Sequence, residues 1–567
     1  MKKIFLSIII LATAVACTSD GLEKEPALMV TETISGTYCL STKATIADED
    51  ASFKWSVGDN IAVHVSNGDS HIYVSTSGEG GASQAAASAS FSVTYDSGYS
   101  RDAFAVFPST IVAANASNYG QSGNTLDVTL PSTYTLAQVQ GEVSPCPMIA
   151  TNMASSTTWN FYQLCGLLRL TVNSIPPSTK RLEIDFDGKK VWGDFSIANP
   201  TPGTSSIATS VDDDHDVITI TNSGNTFYSG WGDGKVFNIP LPTGEYTNYT
   251  NITVTAYNAL SGGDAVLTVT RPFAYTASNE YGTKRTASFP VFSINPSRSK
   301  RVIFAPGNLQ ATTTDLGANW TWSFAEHQYD FIGNGGGNTK ISGNGSLSEN
   351  GTVDLFGWST ENNAYGIHKS KAADDYSGTF VDWGTIKTFG GITYPDNYWK
   401  TLSSGNTDSY ELWYMMRTRQ TNATVNNIAN ARFTMATINT DGTSVNGIIL
   451  FPDYYEGPLV STEDITWGSK INDYNKYSDW GGTRCTKAGW KTLEAVGCVF
   501  LPAAGTREVV SVSFNENYYA SSTIGPFPQT SCFHLIFSNN IKDYNVYWNK
   551  TKSRYPGASV RLAHEVQ

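Results

Sequence analysis

Phe53-Lys54-Trp55-Ser56-Val57-Gly58-Asp59-Asn60-Ile61-Ala62-Val63 alternates apolar and polar residues on both sides of a Gly58-Asp59 pair. Alternation with period two puts every second side chain on one face of a strand, and a Gly-Asp pair suits a tight reversal. The stretch therefore predicts a β-hairpin. The next segments read the same way. Ala103-Phe104-Ala105-Val106-Phe107 is an apolar strand stopped by Pro108, which has no N–H for a ladder. Residues 126–130 form another strand, closed by Pro131. Residues 159–172, from Trp159 through Leu164, Leu167 and Leu170 to Val172, are a longer apolar segment ending in clear alternation.

The composition agrees. The chain has 567 residues, with Gly 50, Tyr 29, Phe 26 and Trp 14, and only 15% charged residues. Aromatic and β-branched residues favour strands, and glycine serves their turns. At roughly 150 residues per domain, three or four domains are expected. A hydrophobic content of 40% supports real cores. A net charge of −13 argues against nucleic acid and anionic membrane surfaces, which select basic patches.

The chain opens with Met1-Lys2-Lys3, an apolar run over residues 4–16, and the small residues Ala14-Val15-Ala16 before Cys17. That is an export signal, too short to be a spanning helix. Read on its own, it is a secretory leader followed by a cysteine. It also resembles the lipobox of bacterial lipoproteins, which implies cleavage before Cys17 and lipidation (palmitate among the acyl chains) of its thiol. Two or more acyl chains anchor a soluble body stably to a membrane. Asp20, Glu23 and Glu25 resemble the sorting signals that send some lipoproteins to the cell surface.

Trp-x-x-Gly-Asp-x-Ile-x-Val at 55–63, Phe-Ala-Val-Phe-Pro at 104–108 and Phe-x-x-Leu-Cys-Gly-Leu-Leu-Arg-Leu at 161–170 together resemble the fimbrillin superfamily of Bacteroidetes pilins. Val236-Phe237-Asn238-Ile239-Pro240-Leu241-Pro242, Gly244 and Tyr246, then Ile252, Val254 and Tyr257, are similar to the second domain of those pilins. The resemblance covers about residues 50–294. It implies two tandem transthyretin-like β-sandwiches. It also implies an N-terminal segment that a protease removes, opening a groove for another subunit's strand.

Beyond residue 295 the chain changes character. Ten of the fourteen tryptophans fall after residue 300. Glu411 to Arg417 and Trp490 to Glu494 are the most helix-like segments. Val499-Phe500-Leu501-Pro502-Ala503-Ala504-Gly505-Thr506-Arg507 and Gly557-Ala558-Ser559-Val560-Arg561-Leu562 resemble a C-terminal domain common in exported Bacteroidetes proteins. They also resemble the C-type-lectin-like fold shared with the formylglycine-generating enzymes. The expected fold class is thus mainly β: two tandem transthyretin-like sandwiches followed by an α+β C-type-lectin-like domain. The expected divisions are 1–16 signal, 17–43 linker or detachable first strand, 44–172 and 173–295 sandwiches, and 296–567 the C-terminal domain.

Chemistry is sparse. There is no Gly-x-Ser-x-Gly elbow, P-loop or His-Glu-x-x-His. His64 and His71, the nearest histidine pair, sit in a strand-rich segment, and His327 beside Glu326 reads as structural. Asp212-Asp213-Asp214-His215-Asp216 lacks the turning glycine and the twelfth-position acid of an EF-hand, and reads as a solvated tip. The cysteines after Cys17 have no C-x-x-C spacing, and Cys165 and Cys498 lie in apolar runs that suit buried free thiols. No catalytic residue, metal ligand or cofactor is expected. Trp467 and Trp480, in loops rich in Gly, Asp and Ser, are the candidate ligand-binding rings.

The resemblances imply a fimbrial (pilus) subunit at the outer membrane and cell surface, a tip adhesin attaching through its C-terminal domain. Its partners would be other pilin subunits by strand exchange, and an extracellular glycan or protein. The alternative is a non-polymerising surface lipoprotein that binds glycan or host protein. Pilins of this family are usually cut after an arginine, and none precedes Arg101; Lys43 is the candidate processing site.

Overall fold

Trp55 is fully buried. Its indole meets Phe91, Phe107 and Phe161 edge-on at 4.8, 5.1 and 5.2 Å. The computed structural model describes residues 28–38, 55–68, 70–76, 81–82, 88–112, 125–140, 146–151, 158–227, 231, 234–246, 251–272, 275–277, 281–342, 346–368, 376–418, 431–473, 475, 477–524, 529–538 and 543–567. The chain is mainly β.

Over its described residues, 55–63, the expected hairpin does not form. The Gly58-Asp59 turn is present: Gly58 has φ +89°, and Asp59 N–H donates to the Ser56 carbonyl at 3.0 Å. Its described flanks, however, carry no strand before Ala62. The turn bonds instead to a later segment, through Gly58 N–H to Ala82 O and Ala82 N–H to Asp59 O. Burying the large Trp55 ring against three phenylalanines outweighs a short local ladder, so Trp55 leaves the alternation.

Ten strands build the first part: β1 (Met29–Tyr38), β2 (Ala62–Ser66), β3 (His71–Ser75), β4 (Ser88–Asp96), β5 (Ser100–Phe107), β6 (Thr125–Leu130), β7 (Thr133–Thr135), β8 (Met148–Thr151), β9 (Thr158–Gln163) and β10 (Gly166–Asn173). Seven of them form one sheet in the order β3-β2-β5-β8-β9-β1-β4. It curls until its edge strands β3 and β4 touch. Inside lie Ile34, Val63, Phe91, Val93, Ala105, Met148 and Trp159. Residues one position away, Ala62, Tyr73, Phe104 and Val106, face a second core with Leu126 and Val128 of β6.

The next strands are β11 (Arg181–Asp185), β12 (Gly193–Ala198), β13 (Val217–Thr221), β14 (Lys235–Leu241), β15 (Gly244–Tyr246), β16 (Asn251–Tyr257), β17 (Ala265–Pro272), β18 (Tyr275–Ala277) and β19 (Tyr281–Ser288). Pairing runs across residue 172. β10 lies between β14 and β19, β6 pairs with β12, and β7 extends the sheet β17-β16-β11-β13. Their shared core holds Leu168, Leu170, Leu182, Ile184, Ile218, Phe237, Ile239 and Val254.

The C-terminal part is irregular. A five-stranded sheet runs Ile465–Thr466, Thr483–Thr486, Phe433–Thr440, Thr443–Leu450, Val499–Pro502, beside the helix Lys487–Ala495. A second sheet joins Glu516–Ile524, Gln529–Ser538 and Asp543–Ser553. Arg507 and Arg561 tie these pieces together. Arg507 Nε donates to Leu355 O at 3.1 Å, and Arg561 donates to Asn308 Oδ1, Ala305 O and Phe500 O at 3.0, 3.0 and 2.8 Å. Both are buried, and burial lowers each guanidinium pKa to about 10. Their donors therefore go to carbonyls rather than to water.

Candidate strand-exchange site

β1 is an interior strand of the seven-stranded sheet although it comes first in the described chain. It pairs antiparallel with β4 from Met29↔Asp96 to Thr37↔Ser88, and parallel with β9 from Ser35↔Thr158 to Tyr38↔Phe161. Among the described residues β4 has no other ladder partner. Withdrawing β1 thus uncovers two facing strand edges, and buried backbone groups left unpaired cost about 1–3 kcal/mol each.

The side chains of β1 explain why it fits without filling much core. Thr and Ser alternate on one face, and Thr31 and Thr37 bond Thr94 and Ser88, each at 2.9 Å. On the other face Ile34 is fully buried and Val30 half-buried against the first core. Gly36 faces the same core, and Trp55 Nε1–H donates to its carbonyl at 3.1 Å. A Cβ at Gly36 would meet Phe91 Cε2 at 2.8 Å, Phe161 Cε2 at 3.1 Å and Trp55 Cζ2 at 3.3 Å. Glu32 takes Arg101 Nε at 2.7 Å and accepts from the Tyr95 hydroxyl. Burial and that carboxylate push the Tyr95 phenol up to about 12. The groove therefore demands a glycine, an isoleucine-sized side chain two residues before it and an acid two residues before that.

β1 falls inside residues 17–43, while Cys17 and Lys43 themselves lie outside the described residues. Trp467 is 6% exposed and packs with Phe451, so the ring expected to face a ligand is a core residue. Trp480 is half-buried against Phe537 and Tyr544. Trp467 directly follows the strand Ile465–Thr466 and packs in the cluster of Phe451, Ile465 and Trp490, while Trp480 packs against the cluster that holds Phe537 and Tyr544. Cys165, Cys485, Cys498 and Cys532 are buried free thiols, and burial raises Cys165 and Cys498 well above the usual thiol range. In the acidic tip His215 Nδ1 lies 2.9 Å from Asp212 Oδ2.

One cluster has no local sign in the sequence. His64 on β2, His71 on β3 and Asp102 on β5 each offer a ligand atom within 4.8 Å of the others. His64 Nδ1 is 2.7 Å from Asp102 Oδ2, and the two imidazole rings stack at 5.4 Å. Burial lowers the His64 pKa although Asp102 acts to raise it. The carboxylate lies 38 residues after His64, so only strand pairing brings it in.

No protein-family model matches the chain, and no curated protein does. Among solved structures, a cell adhesion protein assigned as putative, from Bacteroides ovatus, is similar at 12% identity and a TM-score of 0.27, over 45% of this chain and 91% of that one. Another from Bacteroides fragilis is similar at 10% identity and a TM-score of 0.21, over 52% and 98%. The tip fimbrial protein Mfa3 from Porphyromonas gingivalis, truncated at its C-terminus, is similar at 13% identity and a TM-score of 0.19, over 43% and 81%. At these TM-scores the likenesses carry no argument, and the functional reading rests on this chain's own residues.

Proposed function

We propose that this chain is a cell-surface fimbrial subunit that exchanges β1 for the strand of a partner subunit. The observation that carries the reading is the position of β1 between β4 and β9. Withdrawing β1 leaves β3-β2-β5-β8-β9 paired and β4 without a ladder partner among the described residues, and an incoming strand restores both ladders. Lys43 lies five residues beyond the end of β1, so a cut there frees the whole strand together with the lipid carried at Cys17. In this reading the protein reaches the outer membrane as a lipoprotein and passes into the fimbrium after trimming. The C-terminal part is the adhesive end of a tip subunit, taking an extracellular glycan or protein. No catalytic role is assigned.

The test is Lys43→Ala in the native cell. Processing at Lys43 predicts that the variant keeps its lipid and is absent from fibres, while N-terminal sequencing of the wild-type surface protein begins at Ala44. Normal incorporation of the variant rejects Lys43 as the cut site.

A second reading is favoured by the Glu32–Arg101 pair and the Trp55–Gly36 bond, which both hold β1 in place. There β1 never leaves, and the chain stays anchored as a non-polymerising receptor. Absence of any co-purifying partner subunit selects it.

A further inference from the structure

We propose that His64, His71 and Asp102 bind one divalent transition-metal ion of the zinc class, pinning β2, β3 and β5 to one another. His64 pairs with Tyr73 and Ser66 with His71, so the two imidazoles lie diagonally on one face of the sheet. The ladder between β2 and β5 shifts register between Val63 and Val65, and that irregularity brings Asp102 beside His64. Val63 and Val65 point into the core that receives Ile34, so the histidine face is the opposite one.

The donor set selects the metal. Two imidazoles and one carboxylate suit zinc, nickel, cobalt or copper, whereas calcium and magnesium take oxygen ligands. Zinc bonds of about 2.0–2.2 Å in a tetrahedron need ligand atoms about 3.3 Å apart. The three atoms here lie within 4.8 Å of one another, and the 2.7 Å His64–Asp102 contact need open only slightly. His71 Nδ1 is buried and makes no hydrogen bond. Ser66 Oγ–H donates to Asp102 Oδ1 at 3.1 Å, the outer-sphere contact that orients a ligating carboxylate. His64 is buried while His71 and Asp102 are half-buried, so the fourth position opens toward solvent and takes water.

The experiment is a titration of the untagged full chain with Co(II), then Zn(II). One equivalent of Co(II) should give the intense visible bands of a four-coordinate ion, which zinc abolishes, and zinc should raise the thermal midpoint by several degrees. His71→Gln and Asp102→Asn, both at half-buried positions, should keep the circular dichroism of the native chain and weaken zinc binding at least tenfold. Should either variant misfold, the wild-type chain supplies a second measurement. Zinc should protect His71 from diethylpyrocarbonate, read by mass spectrometry of its peptide. Absence of the Co(II) bands, unchanged affinity in both folded variants, or unprotected His71 overturns the proposal. None of these readouts depends on strand exchange.

Discussion

Arg271 on β17 donates its Nε–H to Glu456 Oε2 at 2.8 Å, joining two parts of the chain 185 residues apart. Both side chains are largely buried, at 8% and 17% exposure. The same carboxylate accepts from the backbone N–H and hydroxyl of Ser288 at 3.1 and 2.7 Å. The guanidinium also reaches Ser288 O and Ala495 O, at 3.1 and 3.3 Å. Nearby, Ser293 Oγ–H bonds Asp453 Oδ2 at 2.5 Å, and Val566 packs into the core of the β10–β19 strands. The C-terminal part is therefore clasped to the strands before it by a buried polar network.

Glu456→Ala removes the acceptor for three donors and leaves Arg271 buried without its counter-charge. Breaking one partner of a buried pair costs about 3–5 kcal/mol. The variant should show that loss in urea unfolding. The double variant Glu456→Ala with Arg271→Met should recover part of it, because no unpaired charge remains. A double variant no better than the single one would show that the charge itself is not the issue.

A chain of residues 297–567 leaves Glu456 without Arg271 and Ser288, and Asp453 without Ser293. It should unfold at lower denaturant than a chain that starts before β17, and bind more of a hydrophobic dye at the exposed seam. Equal midpoints for the two would make the clasp irrelevant to stability.

Gly36→Val tests the groove. A Cβ there meets Phe91 at 2.8 Å and Phe161 at 3.1 Å, and a branched side chain adds to both clashes. Overpacking of this kind costs about 1–3 kcal/mol. The variant should release β1 more readily and speed cleavage after Lys43 by a lysine-specific protease. Gly335→Ala, at extended backbone with the nearest atom 3.8 Å from the new Cβ, serves as the control for loss of glycine. An unchanged cleavage rate would mean that β1 adapts without leaving.

Trp467→Ala should behave as a core deletion, costing about 3–5 kcal/mol, because the ring is buried with Phe451. Half-buried Trp480→Ala should cost less. Thermal unfolding of both checks the order.

How much of the fold is legible in the sequence depends on the range of the forces involved. Strands at Ala103–Phe107 and residues 126–130 are readable because alternation and a closing proline are local. The helix Lys487–Ala495 is readable in part, since its apolar residues recur at helical spacing, though its N-cap Thr486 does not stand out. The hairpin at 53–63 is misread because Trp55 answers to Phe91, Phe107 and Phe161, which lie 36 to 106 residues away. The same blindness hides the His64–Asp102 contact and the Arg271–Glu456 clasp. Trp467 is misjudged because a tryptophan in a polar loop carries no local sign of which way the loop folds. β1 is half visible: the polar, Thr/Ser-rich composition of residues 18–43 suggests a linker or a first strand, but its place between β4 and β9 comes from pairing alone.

Asp354 gives the pH test. Asn338 Nδ2–H and Ile332 N–H donate to its two oxygens at 2.5 and 2.7 Å, yet burial outweighs both bonds and raises its pKa to about 6 from an ordinary 3.8. A carboxyl with a raised folded-state value holds its proton longer in the native chain than in the unfolded one. Stability from this group is therefore full below about pH 4 and lost as pH rises to about 6, by about 3 kcal/mol for two pK units. His534 runs the other way. It is buried and stacked between Tyr518 and Tyr547, and burial lowers its pKa to about 4, so its contribution is lost as pH falls from 6.5 toward 4. The total stability curve mixes the two, so the wild type must be compared with Asp354→Asn at each pH. The variant cannot ionise, and it leaves one of the two donors short of an acceptor at every pH. The stability of wild type relative to Asp354→Asn should fall between pH 4 and pH 6 and then level off, measured by urea unfolding at pH 4, 5, 6 and 7. A difference independent of pH would mean that Asp354 ionises in the folded chain at its ordinary value.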